Sequence, residues 1–128
     1  MRDLHNLIGA DLALSPAVQA ATIKGVAVDL KGFNEAELIV NSGAIAGSGD
    51  FTAKVQESNT TTDADFTDVA ASNLLGTLPA SLTADAAFRV GYIGSKRYVR
   101  VVLTKNSGTS IAAGAVVVKG APALAPVA

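Results

Sequence analysis

The sequence of 128 residues has no cysteine, no tryptophan and one histidine, His5. Without cysteine there is neither a disulfide framework nor a thiolate metal site. With His5 alone, and that near the N-terminus, a Ser-His-Asp triad, a Cys-His nucleophile and a multi-histidine metal centre are set aside. Aromatic residues make up only 5% of the chain. Sugar-binding clefts usually stack their ligand on aromatic rings, so this scarcity counts against a carbohydrate module and against glycosidase chemistry. Ten Lys and Arg stand against eleven Asp and Glu. No basic stripe of the kind that phosphate contacts require is visible, so no nucleic-acid partner is expected. No apolar run approaches the ~20 residues of a membrane span; the longest, Ala112 to Val118, is interrupted by Gly114. No membrane partner is expected either. The start, MRDLHNLIGADLAL, carries Asp3 and Asp11 and reads poorly as a signal peptide.

What is present is β-pattern. The length suits one domain of roughly 100–150 residues, and the 49% hydrophobic share is rich in alanine. Small apolar residues suit close packing between sheets or between subunits. The strongest pattern lies in Phe88 to Thr104. Phe88, Val90 and Tyr92 alternate with Arg89, Gly91 and Ile93, and Val99, Val101 and Leu103 alternate with Tyr98, Arg100, Val102 and Thr104. Gly94-Ser95 between the two runs predicts a hairpin.

Further strands are expected at Thr22–Leu30, Phe33–Val40, Phe51–Ser58, Asp65–Val69 and Ile111–Gly120. Asn41 to Asp50, NSGAIAGSGD, has no period and reads as a loop, and Ala70 to Asp85 reads as a long crossover. Ala115 to Val118 is a nearly continuous apolar run, which suggests burial on both faces. The fold class expected is therefore all-β: a jelly-roll-like β-sandwich or barrel of about eight strands. Residues 1–20 read as an extended arm, residues 21–120 as the β-sandwich domain and residues 121–128 as an extended tail. The arm carries Leu4, Leu7, Ile8, Leu12 and Leu14 without a sheet pattern of its own. These five are the candidate partner-binding residues.

The remaining clusters carry little chemistry. Asp63, Asp65 and Asp68 begin like a calcium loop but lack its glycine and its final glutamate. Asx-turn bonding accounts for them more simply. Glu35 with Glu37, or Glu57 with Asp50, are the only carboxylate pairs that suggest acid–base work. The glycine-rich loop lacks the lysine of a phosphate-binding loop, and Asn59-Thr60-Thr61 is a chance glycosylation sequon in a chain without a secretion signal. No cofactor is expected.

Three stretches carry a family resemblance: SPAV (Ser15 to Val18), FTAKVQESNTTTDADFTDV (Phe51 to Val69) and KRYVRVVLT (Lys96 to Thr104). Together they cover about half the chain, and in them it resembles the jelly-roll-like cement, or decoration, proteins of tailed-bacteriophage capsids. The resemblance implies a non-enzymatic virion protein, made in the host cytoplasm and placed on the capsid surface. It would bind across major capsid protein subunits, stabilise the phage head and associate with itself, most often as a homotrimer. The alternative is a carbohydrate- or receptor-binding β-sandwich of a phage tail or adhesin, against which the shortage of aromatics tells. A small lyase or hydrolase on a jelly roll is the third.

Overall fold

A computed structural model describes residues 3–127. Among these residues ten strands form two sheets of five, with helix confined to short 3-10 turns. The strands are β1 (Gly9–Gln19), β2 (Ile23–Lys24), β3 (Val28–Asp29), β4 (Phe33–Ala46), β5 (Asp50–Ser58), β6 (Thr67–Asp68), β7 (Leu74–Leu75), β8 (Ala87–Tyr92), β9 (Tyr98–Ser107) and β10 (Ser110–Pro122). The first sheet runs β1-β10-β4-β8-β7. The second runs β2-β9-β5-β6, with β3 also on β9. All pairs are antiparallel. This is the all-β sandwich that the alternation predicts.

The organising unit is one long ribbon folded over. Its first arm is β4 running into β5 and its second is β9 running into β10. Their register passes from Phe33↔Pro122 through Ala46↔Ser110 and Asp50↔Ser107 to Ser58↔Tyr98, slipping only at bulges. The ribbon bends between Ala46 and Asp50 and between Ser107 and Ser110, which carries both arms from the first sheet to the second. Gly108 sits at this corner with φ +76°, and a Cβ there would strike the backbone of Ser48. Only glycine adopts this conformation at so close an approach without strain. Apolar side chains of period two then meet between the layers: Leu38 and Val40 from β4, Phe51 from β5, Val99, Val101 and Leu103 from β9, Ile111 and Val117 from β10, all fully buried.

Four expectations need correction. Phe88 to Thr104 is not a hairpin: β8 pairs with β4 and β7, whereas β9 lies in the opposite sheet on β5. Ile93 to Arg97 crosses the sandwich edge instead, a span of about 17 Å for five extended residues, enough for sheets ~10 Å apart. Tyr92 anchors the crossing, its hydroxyl accepting the Lys96 N–H and donating to Glu57 Oε1, both at 3.0 Å. Asn41 to Asp50 is not all loop, because β4 runs to Ala46 and its backbone pairs with β10 despite the small side chains. Thr22–Leu30 is not one strand. At Gly25 the chain is drawn between the layers, Gly25 N–H donating to Val101 O at 2.7 Å and Val26 N–H to Ala13 O at 2.8 Å.

The fourth correction concerns residues 1–20. Gly9–Gln19 is no free arm but the edge strand β1, paired with β10 from Gly9↔Lys119 to Gln19↔Ile111. Register shifts between Leu12 and Leu14 and between Leu14 and Ala17 break the alternation, which hides the strand in the sequence. Pro16 is tolerated because β1 is an edge. At the other terminus β10 extends through Pro122, and Val127 N–H returns to Asn6 O at 2.9 Å.

Candidate interaction surface

The two outer faces of the sandwich differ in kind. That of the second sheet is polar and cross-linked. The Arg100 side chain is largely buried: its guanidinium stacks 4.1 Å from the Phe66 ring centre, donates to Gln56 Oε1 and pairs with Asp63 at 2.7 Å. Lys24 also reaches Asp63, and Lys54 reaches Asp68. The bonds to Asp63 and the Phe66 stack pin the 59–66 loop over β5 and β9, and the bond to Asp68 ties β6 to β5. The Arg100 guanidinium, with Lys24, holds the Asp63 carboxyl below its usual range. The Gln56 amide, with Lys54, does the same for Asp68. Beside the loop, the Arg97 guanidinium brings Asp29 down to about 2.

The outer face of the first sheet carries few charges. Because paired residues project to the same side, register gives its rows across β1, β10 and β4. Leu12, Val116 and Ile39 form one row. Pro16 lies over Gly114, whose β4 neighbour is Asn41. Val18 pairs with Ala112, which in turn abuts Gly43. No residue in these three rows is charged, and Asn41 is their one polar side chain. Leu12 is 50% exposed, Val18 70% and Val116 38%. Charge begins at the margin, with Arg89 beside Ile39 and Glu37 beside Val118. Arg89 and Glu37 approach to 3.6 Å, a weak surface pair.

This face has relief. Leu12, Val116 and Ile39 make a ridge. Next to it lies a hollow of about 370 Å³ floored by Ala112, Gly114 and Gly43 and walled by Pro16, Val18 and Asn41. A second hollow, also about 370 Å³, opens further along, where Gly91 and Gly120 leave room between Ile8, Leu75, Ile93 and Val118.

The five candidate partner-binding residues separate. Leu14 is a core residue, 2% exposed, and is unavailable to any partner. Leu12 belongs to the ridge. Ile8 lines the second hollow. Leu4 and Leu7 stand exposed around the short 3-10 turn His5–Leu7 at that end. The residues that sequence reading missed are Ile39, Val18, Val116 and the small residues beside them. The signal is the apolar run to Val118: it predicts two-sided burial, and the single chain buries the Ala115 and Val117 side fully but leaves Val116 exposed and Ala112 and Val118 half-buried on the other.

The remaining candidates have structural partners. Asp63, Asp65 and Asp68 turn to different groups, Asp65 accepting the Thr60 hydroxyl at 2.6 Å. Among the described residues no cluster of acidic or histidine side chains has the arrangement of a metal site. Glu57 serves Tyr92, while Asp50 lies at the other end of β5, about 23 Å away along the strand. Glu35 and Glu37 lie on the first sheet's outer face, over Gly120 and Gly91. Asn59 Oδ1 accepts the Arg97 N–H at 3.3 Å. His5 is exposed.

No family model matches the sequence, and no curated protein matches it. Among solved structures, a chain of the infectious bursal disease virus Gx strain aligns over 88% of this chain and 31% of its own, at 12% identity and a TM-score of 0.44. One of the Gt strain aligns over 93% and 34%, at 14% identity and a TM-score of 0.43. The chain thus spans about a third of those chains. Likeness at this level carries nothing about partners or role.

Proposed function

We propose that this chain is a non-enzymatic structural protein of a virion: a decoration protein that binds across major capsid protein subunits on the outside of a phage head. The observation that carries the reading is the set of large aliphatic side chains left bare at the N-terminal end, Leu4 at 64% exposure and Leu7 at 50%, next to Ile8. Soluble chains scatter single apolar residues on their surface, but Leu4 and Leu7 bared together beside the hollow that Ile8 lines mark a surface that protein covers. The resemblance of the 51–69 and 96–104 stretches to capsid cement proteins points to the partner. A footprint shared between shell subunits would stabilise the assembled head by mass action, because the complete site exists only there. Repetition of weak contacts over the shell would add avidity.

The test mixes the purified protein with expanded heads that lack it and measures co-sedimentation and the temperature of head disruption. Binding to expanded heads but not to free capsid subunits, with a rise in disruption temperature, is the expected result. Deleting residues 2–7 should weaken that binding at least tenfold and leave the fold intact, since β1 starts at Gly9. Heads that neither bind the protein nor gain stability would sink the proposal.

A further inference from the structure

We propose that the outer face of the first sheet is a two-fold interface, and that its occupant is a second copy of this chain. The inference is independent of the virion reading, because the contact would form in the isolated protein.

Four observations carry it. First, β10 is apolar on both sides from Ala112 to Val118; the single chain buries Ala113, Ala115 and Val117 but leaves Val116 38% exposed and Ala112 and Val118 only half-buried. A strand of that composition belongs between two layers. Second, ridge and hollow lie side by side on the same face. A two-fold axis in the plane of the face, midway between them, would set the Leu12–Val116–Ile39 ridge of one copy into the Ala112–Gly114–Gly43 hollow of the other, and the reverse. This reciprocity is what an isologous contact demands. Third, no charge lies within the three rows and the whole chain has a net charge of −1, so like meets like without repulsion. The glycine and alanine floor lets a second backbone approach closely. Fourth, the size is that of a weak contact. Three strands at ~4.8 Å spacing and three rows, about six residues at ~3.3 Å, give about 300 Å² of flat face per copy. The pair then buries about 600 Å² before the relief is counted, below the ~1,000 Å² of a stable specific interface and in the range of a transient one. That size fits a weak dimer rather than an obligate one, and the two-fold reciprocity makes it a dimer rather than the trimer implied by the family resemblance.

The absence of native cysteine makes the test clean. Sedimentation equilibrium of the full chain from 1 to 100 µM should show a monomer–dimer equilibrium. Val116→Lys places a charge on the ridge and should shift the dissociation constant at least tenfold, with an unchanged melting temperature. Leu12→Ser, on the exposed part of the same ridge, is the second variant and should do likewise. Mixed Val116→Cys and Ala112→Cys proteins should cross-link several-fold faster than either alone under mild oxidation. A monomer at 100 µM, a trimer, or a dimer indifferent to both ridge variants would overturn the proposal. So would cross-linking of Val116→Cys alone as fast as the mixture. A monomer whose binding to heads is lost on Val116→Lys would give this face to a shell protein and also overturn it, while leaving the virion reading standing.

Discussion

Replacing Leu14 by alanine tests whether β1 belongs to the folded core. Leu14 is 2% exposed, pairs with Ala115 across the ladder and sits in the same cluster as Leu38, Val101 and Val117. Truncating a buried leucine removes its transfer free energy and leaves a cavity, together about 2–5 kcal/mol. An edge strand can close partly over the gap, so the lower half of that range, about 2–3 kcal/mol, is expected. For a chain of this length each kcal/mol lowers the melting temperature by about 3–4 °C, so Leu14→Ala should melt about 6–12 °C below the parent. Urea titration followed by circular dichroism should show the same loss with an unchanged slope. Leu12→Ala is the control: the same chemistry two residues away on the exposed ridge should cost less than about 0.5 kcal/mol, provided both proteins are compared as monomers at low concentration. Equal effects for the two, or a Leu14→Ala loss under about 0.5 kcal/mol, would mean that residues 9–19 are an arm laid on the domain and not a strand of it.

Tyr92→Phe should cost about 1–3 kcal/mol, since it leaves buried Glu57 and the Lys96 N–H without their shared partner; retention of full stability in urea would refute the anchor. Burial pushes the Tyr92 phenol up to about 12, so an ultraviolet titration should find it still protonated at pH 11. Arg100→Ala should cost about 2 kcal/mol through lost stacking and hydrogen bonds and should speed amide exchange in residues 59–66. Unchanged exchange there would show that the loop does not depend on Arg100. Asp29 has its folded pKa depressed to about 2 from 3.8; its contribution is complete above the unfolded value and is lost as pH falls through the folded one. Being exposed to solvent, it is worth less than about 1 kcal/mol after screening. Melting temperature should therefore fall between pH 4 and pH 2, and Asp29→Asn should remove part of that fall.

The strand interiors were legible because one-sided burial writes itself as alternation. Phe51 to Glu57 alternates as its burial does, whereas in Val99 to Leu103 Arg100 and Val102 are buried on the other face as well, beneath the loop that Arg100 holds. What alternation cannot convey is which sheet a strand joins. Tyr92 and Tyr98 flank a short link whose glycine and serine fit a turn, and nothing local distinguishes a turn within a sheet from a crossing between sheets. β1 was hidden for a different reason: two bulges throw Leu12 outward and Leu14 inward, so their shared parity misleads. The interaction surface was half legible. The double-sided run in β10 announced a second covering layer, but Ile39 and Val18 join it only through register, which is a property of pairing and not of sequence.

The folded ribbon also governs the order of events at synthesis. β1 finds its partner in β10, and the long pairings of β4 with β10 and of β5 with β9 also wait for those late strands, although β4 has β8 and β5 has β6 as earlier partners. The edges that β1, β4 and β5 later give to β9 and β10 therefore stay open until those strands are made. Long-range antiparallel pairing of this kind has high contact order and closes in milliseconds to seconds rather than microseconds. The apolar face is completed only when β1 docks on β10, so the chain becomes competent to associate only after β10 is in place.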